Sequence, residues 1–104
     1  MELITCEQLK ARLAEKENLN LLDVREPAEH EAYNVGGISI PLGNIMSMQI
    51  DEIENLKDQE VICYCRSGNR SMQASLMLET MGFQNVKNLA GGMVAWAAMQ
   101  GDTL

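Results

Sequence analysis

The sequence predicts an α/β domain: one mainly parallel, five-stranded sheet flanked by helices on both faces, spanning residues 1–104 as a single unit. Three observations carry that expectation. Short apolar runs alternate along the whole chain with amphipathic helical stretches, and such alternation implies parallel strands joined by right-handed crossovers. The length suits one hydrophobic core, since a chain of roughly 100 residues buries well over half of its unfolded surface. No internal repeat, low-complexity segment or linker divides it.

Each element has its own local signal. Leu3-Ile4 reads as a short opening strand. Thr5 followed by Gln8 is a capping-box pattern, starting a helix that runs to about Glu15 with Cys6, Leu9 and Leu13 on one face. LNLLDV, residues 19–24, is a compact apolar run and reads as a buried strand. Pro27 can open a short helical turn through Glu31. Residues 38–41 alternate and read as a strand; residues 45–56 are expected to form one helix with Ile45, Met46, Gln49, Ile50 and Ile53 inward. EVICY, residues 60–64, is the strongest strand. A helix follows from about Arg70 to Met81, with Ala74, Met77, Leu78 and Met81 in one stripe, Gly82 as a left-handed cap and Phe83 folding back. Val86–Leu89 reads as the last strand. Gly91-Gly92 breaks the chain before a closing helix, MVAWAAM.

Composition narrows the function. The formal net charge is −7, which argues against nucleic acid and anionic membrane surfaces as partners, because both select basic patches. No apolar run of about 18 residues suggests a membrane span. The N-terminal MELITCEQLKARL lacks a basic segment and an apolar core, so no signal peptide is expected. Three cysteines, Cys6, Cys63 and Cys65, form an odd set that fits reduced thiols in a cytoplasm.

The chemistry concentrates in VICYCRSGNRS, residues 61–71. A strand ends at Cys65, and a helix begins about five residues later. Open parallel sheets bind ligands at the carboxyl ends of their strands, and Cys65 lies at such an end, as do Asp23 and Arg25. Gly68 permits a tight turn that points several N–H groups at one spot, a nest for an anion. The helix N-terminus adds orphan donors and partial positive charge. With Arg66 and Arg70 on either side, a cysteine at the mouth of that nest should hold a thiolate near neutral pH. Ser67 and Ser71 can donate to a bound anion or cap the following helix; Asn69 can do the same or only support the turn. The bland alternative is an inert buried cysteine. The reactive reading requires the loop's main-chain hydrogens to face inward and Cys65 to be open to solvent.

Three segments in order resemble the single-domain rhodaneses, a family of sulfurtransferases. LLDVREPAEHEAYNVGGISIPL (21–42) is similar to the stretch built on Asp-Val-Arg-Glu, VICYCRSGNRSMQASLML (61–78) to the active-site strand, loop and helix, and NLAGGMVAW (88–96) to the closing Gly-Gly and Trp pattern. The resemblance implies a rhodanese-like fold with Cys65 as nucleophile. It would take the outer sulfur of thiosulfate or a similar small anionic donor and carry it as a persulfide. Residues 66 to 70, that is Arg66, Ser67, Gly68, Asn69 and Arg70, would hold that persulfide, and cyanide, a thiol or a protein thiol would accept the sulfur. It implies neither a metal nor an organic cofactor. Cysteine, four residues, arginine is the spacing of the sulfur-transferring members; related phosphatases have one residue more, because a nest closed on one sulfur is too narrow for a tetrahedral phosphate. Two alternatives stand beside a thiosulfate sulfurtransferase: a persulfide carrier in a sulfur relay, and phosphatase-like anion hydrolysis. The sequence departs from the family at 33–38, where Tyr-Asn-Val-Gly-Gly-Ile replaces Gly-His-Ile-Pro-Gly-Ala.

The remaining candidates are supporting. One reading is that Asp23 bonds the loop and pairs with an arginine such as Arg70, since a buried carboxylate needs a partner; the other is that Arg25 pairs with Glu29 and does nothing chemical. Arg25 can at most help draw anions in. Cys63 shares a face with Cys65, but residues two apart on a strand lie about 6.6 Å apart, near the limit of a disulfide; it reads as core, and so does Cys6. His30, the only histidine, reads as partly exposed, which leaves the thiolate dependent on electrostatics alone. Met46 and Met48 read as core filler.

Overall fold

The computed structural model describes residues 1–104. Strands β1 (Glu2–Ile4), β2 (Leu21–Asp23), β3 (Ile38–Ser39), β4 (Glu60–Tyr64) and β5 (Asn85–Leu89) form one sheet in the order β1-β5-β4-β2-β3, every pair parallel. Helices α1 (Cys6–Ala14), α2 (Pro27–Ala32), α3 (Leu42–Met46), α4 (Asn69–Thr80) and α5 (Gly92–Met99) surround it, with a 3-10 helix at Asp51–Leu56. No helix is long and apolar enough to cross a membrane.

Strand β4 explains the layering. Its alternate side chains enter two cores: Val61 and Cys63, with Cys65 beyond them, pack with Ile45, Ile53, Ala74 and Leu78 on one face, while Ile62 and Tyr64 pack with Leu9, Met93 and Trp96 on the other. Burial on both faces is why EVICY reads as an unbroken apolar run. β2 and β4 are neighbours, yet the chain leaves β2 toward β3 and β4 toward β5. Adjacent strands whose connections diverge open a crevice at their carboxyl ends, and residues 23–25 and 65–70 meet there.

Local signals hold at several places. Thr5 and Gln8 make the full capping box of α1. Gly82 adopts φ +100°, and the Phe83 N–H returns to the Leu78 carbonyl at 3.0 Å. The single helix expected over 45–56 is instead two pieces. Met48 takes φ +61°, which ends α3 and separates it from the 3-10 helix. Ile45, Ile50 and Ile53 still face the core, but Met46, Met48 and Gln49 are exposed, so neither methionine is core filler. The departure at 33–38 is accommodated by glycine. Gly37, at φ +89°, passes so close to the Leu21 main chain that a Cβ would collide with it, and the Tyr64 hydroxyl donates to the Gly36 carbonyl at 2.8 Å.

Candidate active site

Cys65 follows β4 directly, and Gly68, at φ +105°, is the N-cap of α4. This brings the first turn of α4 back onto the sulfur. Cys65 Sγ accepts hydrogen bonds from Gly68 N at 3.1 Å, Ser71 N at 3.3 Å and Ser71 Oγ at 3.4 Å. The opposite ends of the loop's peptides are held by another helix start: Met93 N donates to the Cys65 carbonyl and Val94 N to the Arg66 carbonyl, both at 2.9 Å. Gly92 lies so close to these two carbonyls that a Cβ there would collide with them. Of the peptide units so held, the one joining Arg66 to Ser67 sends its N–H toward the sulfur. Two helix N-termini thus orient one loop, α5 from its carbonyl side and α4 from its amide side.

The electrostatic result follows. Burial pushes the Cys65 thiol up, but the Ser71 hydroxyl, the Ser71 and Gly68 N–H groups and the Ser67 N–H together outweigh it, and the thiol titrates below its ordinary value. Hydrogen bonds, more than the two arginines, make the thiolate. Serine 71, expected to donate or to cap, is the sulfur's principal partner. Its hydroxyl also lies within reach of the Gly68 carbonyl at 3.2 Å and of Asn88 Oδ1. Asn88 is buried and donates from Nδ2 to the Gly68 carbonyl at 3.2 Å, which bolts the loop to β5. Asn88 escaped the sequence reading, although its signal was present. It lies two residues after the core valine Val86 on a strand, and so on the face beneath α4.

One expectation fails. Cys65 is 0% exposed, so the sulfur sits on the floor of the cradle rather than at its mouth. None of the four cavities in the molecule is lined by Cys65 or residues 66–70. The same bonds that draw the N–H groups inward close the loop over Sγ.

The charged partners are also exchanged. Asp23, fully buried, does not meet Arg70. It holds Arg25, whose Nη2 reaches Oδ2 at 2.8 Å and whose Nε reaches Oδ1 at 3.0 Å, and it bonds His30 Nδ1 at 2.8 Å. Arg25 also donates to the Tyr33 carbonyl and lies over the Tyr64 ring. It is 2% exposed, with its guanidinium committed to Asp23 and the Tyr33 carbonyl. Arg70 instead grips Glu29 with both terminal nitrogens, at 2.8 and 3.0 Å. The reason is helix α2, which presents Glu29 to the loop and His30 to Asp23, while Arg25, two residues beyond Asp23 on the same face, folds back onto its carboxylate. Arg66 is exposed and donates to the Leu104 carbonyl at 3.3 Å. Ser67 and Asn69 are exposed.

The other thiols are buried. Burial first, and the nearby Cys65 charge, push Cys63 up to about 12 against a hydrogen bond from Ser75. Burial likewise raises Cys6.

Comparison with known proteins places the whole domain in a family. The rhodanese-like domain family matches residues 5–99. A sulfurtransferase of Allochromatium vinosum is 40% identical over 95 residues, 90% of this chain and 86% of that protein. The putative sulfur carrier protein YrkF of Bacillus subtilis is 36% identical over 94 residues; the match takes in 89% of this chain but only about half, 49%, of that longer relative. The crystal structure of a rhodanese-like domain protein from Staphylococcus aureus superimposes with a TM-score of 0.80 at 29% identity, covering 92% of this chain and 91% of that one.

Proposed function

The chain belongs to the rhodanese-like domain family, and from that premise we propose that it transfers sulfane sulfur through a persulfide on Cys65. The Cys65 thiolate attacks the outer sulfur of thiosulfate or a similar small anionic donor. A bond forms between Sγ and that sulfur as the donor's S–S bond breaks, and its electron pair leaves with sulfite. The terminal persulfide sulfur then carries the negative charge. Attack by cyanide, a thiol or a protein thiol on that sulfur breaks the new bond and returns the thiolate. Two half-reactions through a covalent intermediate give ping-pong kinetics. No step calls for a metal or an organic cofactor.

The observation that carries this reading is the convergence of Gly68 N, Ser71 N and Ser71 Oγ on Cys65 Sγ. Charge stays on sulfur through both half-reactions, and oriented donors stabilise it without reorganising. The six-residue span from Cys65 to Arg70, closed on one sulfur, weighs against phosphatase-like hydrolysis. Cys65 is 0% exposed, so the solvent access that the reactive reading requires is not met in this closed form, and donor entry requires the loop over Sγ to open and close again. That burial, together with the similarity to the putative sulfur carrier protein YrkF, favours one second reading: a carrier that receives sulfur from a protein partner able to open the loop. Three free thiols suit a reducing, cytoplasmic setting.

Intact-mass measurement after incubation with thiosulfate tests the proposal. The chain should gain one sulfur atom and lose it on addition of cyanide, and Cys65→Ser should gain none. Loading without turnover would select the carrier reading. Sulfur retained by Cys65→Ser would refute the assignment.

A further inference from the structure

We infer that Glu29 is a specificity-determining residue: by occupying Arg70 it turns the site away from dianionic sulfur donors and toward donors, such as persulfides, that bring one negative charge or none. This rests on the sulfur-transfer reading above and extends it to substrate class.

Three arginines lie on the segments that follow β2 and β4, and their commitments differ. Arg25 is buried on Asp23. Arg70, close enough to sense the Cys65 charge, has both terminal nitrogens on the Glu29 carboxylate. Arg66 alone bears no carboxylate side chain. Arg66 donates to a main-chain oxygen of Leu104, so a dianion entering over Cys65 meets at most one guanidinium not held by a carboxylate side chain, against the background of a chain with net charge −7.

The mask is built rather than incidental. Glu29 Oε1 also accepts the Glu26 N–H at 3.0 Å, in the capping box of α2. The carboxylate is thus held from behind by its own helix start while its two oxygens engage the guanidinium in parallel. Arg70 and the Glu26 amide hold the Glu29 carboxyl down at about 2, so it stays charged at any pH where the thiolate exists. Glu29 and Arg70 are each about one-third exposed, at 33% and 32%, so both border the solvent through which a donor must come. A persulfide donor leaves as a thiolate and needs less positive charge at the mouth than one that leaves as sulfite.

The test is a ladder of reagent charge with wild type and Glu29→Gln: thiosulfate and benzenethiosulfonate, each assayed as kcat/KM, and neutral iodoacetamide, assayed as the second-order rate of Cys65 alkylation. Glutamine keeps an oxygen for the Glu26 N–H, and the partly exposed pair is not needed to hold the core. Unmasking Arg70 should raise kcat/KM for thiosulfate about tenfold and for benzenethiosulfonate about threefold, and should change the rate with iodoacetamide less than about twofold. The gain should sit mainly in KM and disappear in the double variant Glu29→Gln/Arg70→Met, a pattern that mere structural loosening does not produce. Equal changes for all three reagents, or no gain with thiosulfate, overturn the inference while leaving sulfur transfer standing. Failure of every donor to load Cys65 overturns both.

Discussion

Replacing Ser71 by alanine isolates one of the three hydrogen bonds on Cys65 Sγ. The variant keeps the Ser71 N–H, at 3.3 Å, and the Gly68 N–H, at 3.1 Å, so the cradle persists and only the hydroxyl donor at 3.4 Å is lost. A hydrogen bond to a charged group contributes about 1.5–3 kcal/mol. The lower end applies here, because the single hydroxyl proton is contested by the Gly68 carbonyl and Asn88 Oδ1 and must be drawn from them as the thiolate forms. At about 1.4 kcal/mol per unit, the Cys65 pKa should rise by roughly one unit. Ultraviolet absorbance of the thiolate against pH is the suitable assay, since it needs no reagent to reach a sulfur that is 0% exposed. Cys63, at about 12, and the raised Cys6 titrate later and leave the first step to Cys65, with Cys65→Ser as the blank. The sign also appears in stability. A thiol lowered in the folded state adds stability above its unfolded value of about 8.5 and loses it as pH falls through the folded value. Ser71→Ala should shrink that alkaline gain. An unchanged or lower Cys65 pKa would refute the reasoning, by showing that the hydroxyl donates to Asn88 in both protonation states.

Two further outcomes follow from the same geometry. Arg25→Met leaves the buried Asp23 carboxylate with His30 as its only side-chain partner, and should cost about 3–5 kcal/mol in urea unfolding; Asp23→Asn/Arg25→Met should recover a large part, and failure to do so would mean that Arg25 acts through packing on Tyr64. Cys63→Ala should leave sulfur transfer nearly intact while costing about 1 kcal/mol for the small cavity, and a severe fall in turnover would show that Cys63 takes part in the chemistry.

What the sequence alone determined was local. The succession of strand, glycine-containing turn and helix within residues 61–71 puts main-chain donors on Cys65, because Gly68 and the first turn of α4 lie three to six residues from the sulfur they bond. The capping box at Thr5 and the glycine cap at Gly82 are legible for the same reason, each closing over a few residues. The alternation of elements determined the parallel sheet, and the sheet brought the ends of β2 and β4 together. Tertiary structure decided which charges pair, how deeply the sulfur lies, and what braces the loop. Arg70 meets Glu29 across 41 positions, and Ser71 meets Asn88 across 17. Composition shows that such groups need partners, but many pairings satisfy that need. The choice falls to the approach of α2, β5 and α5, which is set by side-chain packing on the two faces of the sheet. The closure over Cys65 has the same origin, since the amides that hold its carbonyl and that of Arg66 come from a helix nearly thirty residues away.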